Sequence, residues 1–416
     1  MAYMSRVVDE EVRQQLTSAG ALVIEGPKAC GKTETALQVS ESKVFLDIDM
    51  AAQQAVAIDP QLILAGLTPR LIDEWQAAPT LWNHVRRLID NRQLPGQFIL
   101  TGSSTPDMDL TRHSGAGRFS FIRMRPMTLF ESGFSSALVS LKKLMAGEYP
   151  KSIDPGLTIP ELATRIAIGG WPAQQNRTEE EATRANRDYL KQITLVDIGL
   201  ALGSSRDPQK MGNLIRSLAR NVATEVAVTV LATDAGGSEN PLSRNTVASY
   251  LNVLDRLMIT EDQPAWAPHL RSKAKLRVSS KRHFVDPSLA VAAMSTSSRG
   301  ILADMNLFGF LFESMVIRDL RVFAQSIDGQ ILHYRDNNGV EVDAIVQLSD
   351  GRWAAFEIKL GVGQIDEAAE KLKKFASLID TIKCGEPAIL GIICGTGFSY
   401  MRPDNIAVIS IATLAP

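Results

Sequence analysis

The chain has 416 residues, of which 45% are hydrophobic and 22% are charged, and its formal net charge at pH 7 is -2. This composition is typical of globular proteins that bury apolar cores, and the length favours about two to four domains. A net charge this small excludes nucleic-acid or membrane binding through overall charge, so any such surface must be local.

The cysteines and the N-terminal sequence bear on where the protein resides. Cys30, Cys384 and Cys394 form neither a disulfide framework nor a metal-ligand spacing, which predicts a reduced, cytoplasmic setting. The first 16 residues contain no apolar core, so we expect no signal peptide. No apolar run approaches the roughly 18 residues of a membrane helix, and no membrane partner is predicted.

Residues 21–33, ALVIEGPKACGKT, predict a strand, a phosphate-binding loop and the start of a helix. Glycines let backbone N–H groups turn inward around phosphates, Lys32 can reach the β- and γ-phosphates, and the Thr33 hydroxyl can ligate Mg²⁺. No N-K-x-D-like stretch is present to read guanine, so ATP is favoured over GTP. The predicted ATP-binding residues are Gly26, Pro27, Lys28, Ala29, Cys30, Gly31, Lys32 and Thr33.

Residues 70–76, RLIDEWQ, predict a short apolar strand that ends in two carboxylates. Beside a phosphate-binding loop, Asp73 suits the Mg²⁺ shell and Glu74 suits polarisation of the attacking water. The alternative is that this Asp-Glu pair opens a helix, where carboxylates favour the helix dipole. We therefore predict Asp73 as a cofactor and metal ligand and Glu74 as the catalytic base.

Two later segments supply candidates for contacting the γ-phosphate. Residues 96–104, GQFILTGSS, predict a strand followed by hydroxyl side chains, so that Thr101 or Ser103 senses the phosphate or, alternatively, caps a helix. Arg118 follows a glycine-containing loop and is a candidate catalytic residue, acting in cis or from a neighbouring subunit of an oligomer. The alternative for Arg118 is an exposed salt bridge.

The order of these motifs resembles that of a known family. GPKACGKT, LIDEWQ, LTGSS, GAGR followed by MRPMTLFESG, and then GGWP at 169–172 together resemble prokaryotic AAA-like ATPases related to the STAND group. The resemblance covers most of the chain. It implies that the C-terminal region is a restriction-endonuclease-like domain, whose role in the family is poorly known.

From about residue 128 to residue 205 the chain has helical spacing, which is broken by three prolines and by GGWP. Residues 131–207 predict a helical lid over the nucleotide, in which GGWP forms a tight backbone bend. Residues 208–275 predict a winged helix whose recognition helix lies in 242–259, with Ser243 as its cap and Val247, Tyr250 and Leu254 on its buried stripe. The basic segment 270–283 suits phosphate contact. DNA contact is one hypothesis for this region, and a rigid spacer with a solvated loop is the alternative.

Residues 340–361, VEVDAIVQLSDGRWAAFEIKLG, predict a β-hairpin. A two-residue loop would mix charged and apolar side chains on both faces of the hairpin. A three-residue loop, Ser349–Gly351, pairs Leu348 with Arg352 and sorts the apolar residues onto one face. In that register Asp343 lies opposite Glu357, and two facing carboxylates require a positive charge between them.

A hard divalent cation would supply that charge. Mg²⁺ or Mn²⁺ at Asp343 and Glu357, with Lys359 orienting a catalytic water, is the arrangement of D…E-x-K nucleases, and Glu357 and Lys359 are then catalytic residues. The family resemblance implies the same positions and adds Glu313 as a metal ligand, and Gln364 is a further candidate. The alternative is a retired site in which Glu341 and Lys359 form a surface salt bridge.

These observations predict an α/β protein with four domains. They are a P-loop ATPase domain (1–130), a helical lid (131–207), a winged helix (208–275) and a PD-(D/E)xK endonuclease-like α/β domain (276–416). The predicted function is ATP hydrolysis coupled to a metal-dependent, nucleic-acid-directed nuclease domain. The alternative is a nucleotide-dependent switch or scaffold that binds DNA or protein without cleaving it.

Overall fold

The structure is a computed structural model that describes residues 3–102, 115–197, 207–268 and 279–416. It divides into two compact units, one of residues 1–126 with 256–258 and one of residues 127–255 with 259–416. The predicted borders near 207 and 275 both fall inside the second unit, so the finer domain division stays a prediction. Across the described ranges, the helices lack the combination of length and hydropathy that spanning a bilayer requires.

The first unit is built on a five-stranded, fully parallel sheet in the order β2-β3-β4-β1-β5. Continuous apolar runs such as ALVI and FIL form these strands because parallel sheets are covered on both faces. The strands are β1 (Ala21–Glu25), β2 (Ser42–Phe45), β3 (Arg70–Asp73), β4 (Phe98–Gly102) and β5 (Phe119–Arg123). The helices are α1 (Val8–Leu16), α2 (Lys32–Leu37), α3 (Met50–Ile58), α4 (Gln61–Leu64) and α5 (Leu81–Arg92).

The register of this sheet brings three chain segments to one edge. Glu25 at the end of β1 pairs with Gly102 of β4, and Asp73 at the end of β3 pairs with Thr101 of β4. Because carboxyl ends of parallel strands share an edge, the loop after β1 and the carboxylate of Asp73 lie at the same edge.

The second unit combines helices with a six-stranded mixed sheet in the order β11-β12-β10-β9-β8-β7. Its helices are α6 (Leu141–Leu144), α7 (Ile159–Ile168), α8 (Glu179–Gln192), α9 (Pro208–Arg220), α10 (Val228–Gly236), α11 (Arg244–Arg256), α12 (Pro287–Ala293), α13 (Ser298–Ala303), α14 (Met305–Gln325), α15 (Ile365–Leu378) and α16 (Thr381–Cys384). Its strands are β6 (Val139–Ser140), β7 (Gly329–Arg335), β8 (Glu341–Leu348), β9 (Trp353–Lys359), β10 (Leu390–Cys394), β11 (Tyr400–Met401), β12 (Ile406–Ser410) and β13 (Leu414–Ala415), and β6 pairs with β13.

Helices α9, α10 and α11 precede a short antiparallel ladder in which Thr260 pairs with Phe284 and Gln263 pairs with Lys281. The Ser243 hydroxyl caps α11 by accepting a hydrogen bond from the backbone N–H of Thr246. The predicted stripe of α11 is buried, whereas Arg244, Asn245 and Asn252 are exposed. The winged helix itself stays a prediction, and residues 270–278 of the basic segment lie outside the described residues.

The β8–β9 hairpin has the register that the hydrophobic pattern predicts. Ala344 pairs with Phe356 and Val346 with Ala354, and the Leu348 N–H donates to the Arg352 carbonyl at 2.9 Å. Gly351 closes the turn with φ +93°, the left-handed region that a three-residue loop requires. The prediction of a three-residue loop is confirmed.

A buried ion-pair network holds the helices of the second unit together. Arg318 of α14 pairs with Asp286 at 2.8 Å and with Asp319 at 2.7 Å, and all three side chains are at most 4% exposed. Asp286 also caps α12 and accepts from the backbone N–H of Gly170, which explains the tight bend at GGWP. Asp319 accepts from the backbone N–H of Leu129.

Replacing Arg318 by Met is expected to lower the free energy of unfolding of the second unit by about 3–5 kcal/mol, because it leaves two buried carboxylates without their cation. Calorimetric or urea unfolding measures the loss. The control Arg184→Met removes an ion pair with Glu180 whose side chains are 70% and 83% exposed, and should cost less than about 1 kcal/mol. Equal losses in the two variants would contradict this account of the network.

Candidate functional site

The loop after β1 is held in shape by two glycines. A side chain at Gly26 would place its Cβ 2.3 Å from the carbonyl oxygen of Met124, so only glycine fits without displacing the backbone. Gly31 has φ +103°, and α2 begins at the next residue. Ala29 also has a positive φ of 64°. These turns let successive backbone amides face one point, the geometry of an anion-binding nest.

Lys32 places a positive charge inside this loop. Its side chain is buried, and the Nζ atom donates to the carbonyl oxygens of Gly26 and Pro27 at 2.9 Å each. Carbonyl dipoles compensate a buried ammonium less well than an anion does. The ammonium is therefore positioned to exchange these carbonyls for phosphate oxygens.

The Asp73 carboxylate links the loop helix to the neighbouring strands. Thr33 donates its hydroxyl to Asp73 Oδ1 at 2.8 Å, and the Thr101 hydroxyl donates to the same oxygen. Thr33, Asp73 and Thr101 thus bring three oxygen-bearing side chains together beside the loop. Hydroxyl and carboxylate oxygens are the donors that Mg²⁺ prefers.

Glu74 is the residue after Asp73, and at Glu74 the backbone turns out of the extended conformation of β3. Its backbone is left-handed, with φ 52° and ψ 45°, an uncommon conformation for this residue type. Burial raises the pKa of its carboxyl, with the Lys32 charge opposing that shift, and Gln76 donates a hydrogen bond to Oε2. Non-glycine residues in this backbone region are over-represented at functional sites.

The structure also reveals two N-terminal residues that sequence reasoning missed. Arg6 is buried and donates to the carbonyl oxygens of Cys30 at 2.8 Å and Arg125 at 2.7 Å, which braces the phosphate-binding loop from behind. The Tyr3 hydroxyl lies 3.0 Å from the hydroxyl of Thr35 in α2. No motif marks these residues, and the only signal is that they precede the first strand.

One of the predicted γ-phosphate contacts, Arg118, is not brought to the loop. Ser103 lies outside the described residues. Arg118 donates to Asp90 at 2.8 Å, and its carbonyl accepts from Ala21 at the start of β1, so it lies at the sheet edge opposite the loop. That placement corrects the assignment of Arg118 in cis, and the salt-bridge alternative describes what is observed.

A second charged site lines a cavity of about 770 Å³ in the second unit. Glu313 of α14 and Asp343 of β8 face this cavity together with Lys359 of β9 and Lys281 of the ladder. Gln364 lines it as well. Glu341, by contrast, pairs with Arg335 at 3.2 Å and not with Lys359, which corrects the predicted salt bridge.

The predicted metal set of Glu313, Asp343 and Glu357 is not gathered around one point. Leu332 of β7 pairs with Ile345 of β8, and Tyr334 pairs with Val342, so β8 has two residues where β7 has one. Asp343 is one of these two residues and lies in the resulting bulge. Glu357 is fully buried outside the cavity lining and contacts Lys371 of α15 at 3.0 Å.

Ammonium groups occupy the positions between these carboxylates. Lys359 Nζ lies 3.1 Å from Asp343 and 2.7 Å from Glu357, whereas Lys281 Nζ lies 2.6 Å from Glu313 and 3.5 Å from Asp343. No group of three or more Asp, Glu, His or Cys residues within the described ranges could hold a metal ion. In this arrangement the residues do not fit the predicted Mg²⁺ or Mn²⁺.

The carboxyl pKa values follow from these neighbours. Burial raises the pKa of Glu313 to about 7, in spite of the Lys281 charge. Burial also acts on Asp343, but the ammonium groups of Lys281 and Lys359 outweigh it and hold the pKa at about 2. Burial and the nearby Asp343 raise the pKa of Glu357.

Comparisons with known proteins agree with the first site. Residues 18–132 match the model of a family described as AAA domain, and residues 159–300 and 308–414 match two domains of unknown function, DUF8612 and DUF4143. Together with the loop geometry, the first match identifies a P-loop ATPase-like domain of α/β architecture, for which a nucleotide and Mg²⁺ are the expected ligands. A restriction-endonuclease-like domain is not among these matches.

Two curated relatives are similar to most of the chain, and two solved structures match it more weakly. Uncharacterized proteins of Mycobacterium bovis (Mb2031c) and Mycobacterium tuberculosis (Rv2008c) are each 25% identical over 354 residues, 84% of this chain and 72% of theirs. The Walker-type ATPase PABY2304 of Pyrococcus abyssi is 11% identical with a TM-score of 0.42, over 68% of this chain and 94% of its own. A RuvB variant of Thermotoga maritima is 18% identical with a TM-score of 0.27, over 62% and 89%.

Replacing Gly26 by Ala is expected to destabilise the first unit by about 1–3 kcal/mol, because the added methyl group meets the Met124 carbonyl in a packed region. Calorimetric unfolding of the full chain measures the effect. The matched control is Gly212→Ala in α9, where an added Cβ meets nothing within 4 Å and should raise stability by up to about 1 kcal/mol. A neutral Gly26→Ala would contradict the proposed fit of the loop.

Proposed function

We propose that the first unit binds ATP at the 26–33 loop and hydrolyses it. One observation carries the proposal: the buried Lys32 ammonium, the Thr33 hydroxyl and the Asp73 carboxylate meet at the edge of the sheet where the loop amides converge. This combination suits a triphosphate with its counter-cation better than a neutral ligand, because it presents both anion-binding and cation-binding groups.

The loop residues would act first by binding the phosphates. Backbone amides of residues 26–33 would contact the β-phosphate, and Lys32 would transfer its hydrogen bonds from two loop carbonyls to phosphate oxygens. Thr33 and Asp73 would hold Mg²⁺, and Arg6 would keep the Cys30 carbonyl turned out of the loop. When bound, Mg²⁺ supplies charge neutralisation on the phosphates.

Glu74 is the candidate for the general base. It lies directly beyond the Mg²⁺-binding carboxylate, and a raised pKa makes its carboxylate a better proton acceptor. Thr101, which shares an oxygen of Asp73, supports the position of that carboxylate. Ser103 remains a proposed γ-phosphate contact, and Arg118 remains a proposal only as a residue donated by another subunit of an oligomer.

Lys32→Ala is expected to abolish ATP binding measured by calorimetry, since it removes the cation that meets the β- and γ-phosphates. Glu74→Gln should bind ATP like the wild type but hydrolyse it about 10²–10⁴-fold more slowly, because the amide cannot accept a proton. Glu10→Gln, at an exposed position of the same unit, is the control and should change neither quantity. Wild-type turnover in Glu74→Gln would show that another group is the base.

We propose that the second unit is part of a nucleotide-dependent switch or scaffold, which binds DNA or protein without cleaving it. The positions of its buried lysines favour this candidate. The ammonium groups of Lys281 and Lys359 support it because they already lie between the carboxylates that would hold a catalytic cation. The second candidate is the metal-dependent nuclease. Its support is that Glu313, Asp343 and Lys359 line one cavity, with Glu357 two residues before Lys359.

Incubating the purified protein with plasmid, oligonucleotide DNA and RNA, in Mg²⁺ or Mn²⁺ and with or without ATP, separates these candidates. The switch predicts no cleavage that depends on the second unit. A nuclease would cleave, and would lose that activity in Glu357→Ala while keeping it in the control Glu370→Ala, whose side chain is 73% exposed. Cleavage with that pattern would overturn the assignment as a non-cleaving domain.

A further inference from the structure

Lys281 belongs to the basic segment 270–283, for which the sequence predicts phosphate contact, and the ATP site does not use it. Its side chain is 9% exposed, which is rare for lysine unless the ammonium is paired. The Nζ atom lies 2.6 Å from an oxygen of Glu313 in α14 and 3.5 Å from an oxygen of Asp343 in β8. One ammonium thus bridges two carboxylates from two different elements of the fold.

The backbone that carries Lys281 is fixed. Lys281 and Gln263 exchange both ladder hydrogen bonds, at 2.9 and 3.1 Å. The Gln263 side chain in turn donates to the carbonyl oxygens of Leu332 in β7 and of Asp343 in the β8 bulge. The ladder therefore positions both the lysine and the carboxylate that it meets. This degree of bracing is more than a chance surface ion pair requires.

The charges in this cluster balance when all three carboxylates are ionised. Glu313, Asp343 and Glu357 then supply three negative charges, and Lys281, Lys359 and Lys371 supply three positive charges. Adding a divalent cation to this set would create an excess of two positive charges in a buried place, which is unfavourable. Removing the Lys281 ammonium would leave Glu313 and Asp343 facing each other with one uncompensated negative charge.

The cavity beside the cluster has space for side chains larger than some of those that line it. Gly309, Gly361 and Gly363 all line it, and a Cβ added at any of them meets nothing within 4 Å. Gly309 lies inside α14, where glycine costs about 1 kcal/mol relative to alanine. The acidic pair is therefore reachable from the cavity, and the Lys281 ammonium is the group between its oxygens.

We propose that Lys281 is a tethered counter-ion that occupies the position of a divalent cation between Glu313 and Asp343, so that the pair takes up a divalent cation only when this ammonium is removed. Lys359 stays in place on the other oxygen of Asp343 and keeps that carboxylate ionised. The proposal is independent of the ATP site, and it explains why the acidic residues do not form a metal site in the wild-type chain.

The test measures Mn²⁺ binding to the full chain in the absence of nucleotide. Binding is detected as a decrease in the electron paramagnetic resonance signal of free Mn²⁺. Lys281→Met should bind one Mn²⁺ at least about tenfold more tightly than the wild type, because one buried positive charge is gone. The gain should disappear in Lys281→Met with Asp343→Asn. Lys281→Arg, which keeps the charge, and Lys373→Met, on the exposed side of α15, should gain nothing.

Thermal unfolding with and without Mn²⁺ shows whether a variant that binds no Mn²⁺ is folded. Mn²⁺ should raise the melting temperature of Lys281→Met and of Lys281→Gln but leave the wild type unchanged, since a ligand stabilises only the chain that binds it. Mn²⁺ binding by the wild type that is lost in Asp343→Asn would overturn the proposal. So would a folded Lys281→Met or Lys281→Gln chain without a new Mn²⁺ site.

Discussion

The hydrogen bonds to one carboxylate, that of Asp73, organise the first unit. Thr33 at the start of α2 and Thr101 at the end of β4 both donate to its Oδ1. This geometry exists only because β4 lies between β1 and β3 and all three are parallel, which brings their carboxyl ends to one edge. The loop, the strand carboxylate and the threonine are then fixed relative to one another before any ligand arrives.

In the second unit, buried carboxylates are neutralised by basic side chains. Arg318 compensates Asp286 and Asp319 in the helical part, and lysines compensate the carboxylates around the β8–β9 hairpin. Buried ion pairs add little net stability, but loss of one partner is costly, so each such group constrains its neighbours. The two clusters differ in access: the Arg318 network is closed by backbone amides, whereas the hairpin cluster opens on a cavity.

Much of this could be predicted from local patterns. The glycine-framed loop, the strand ending at Asp73 and the three-residue hairpin turn each depend on a few adjacent residues, and the structure contains all three. The features that could not be predicted depend on contacts between residues that are far apart in the sequence. The β8 bulge depends on pairing with β7, and the lysine between Glu313 and Asp343 comes from a ladder more than 30 residues before Glu313 in the chain. The spacing of a D…E-x-K motif does not indicate whether a metal ion or a lysine ammonium lies between the carboxylates.

Triphosphate binding by the first unit is the property on which the proposed function depends most directly. Titration calorimetry of the well-folded wild-type chain with ATP, with and without Mg²⁺, tests it. We expect one ATP per chain, bound more tightly when Mg²⁺ is present, and an Asp73→Asn chain in which Mg²⁺ gives no such gain. A folded wild-type chain that takes up neither ATP nor another nucleoside triphosphate in Mg²⁺ would contradict the account.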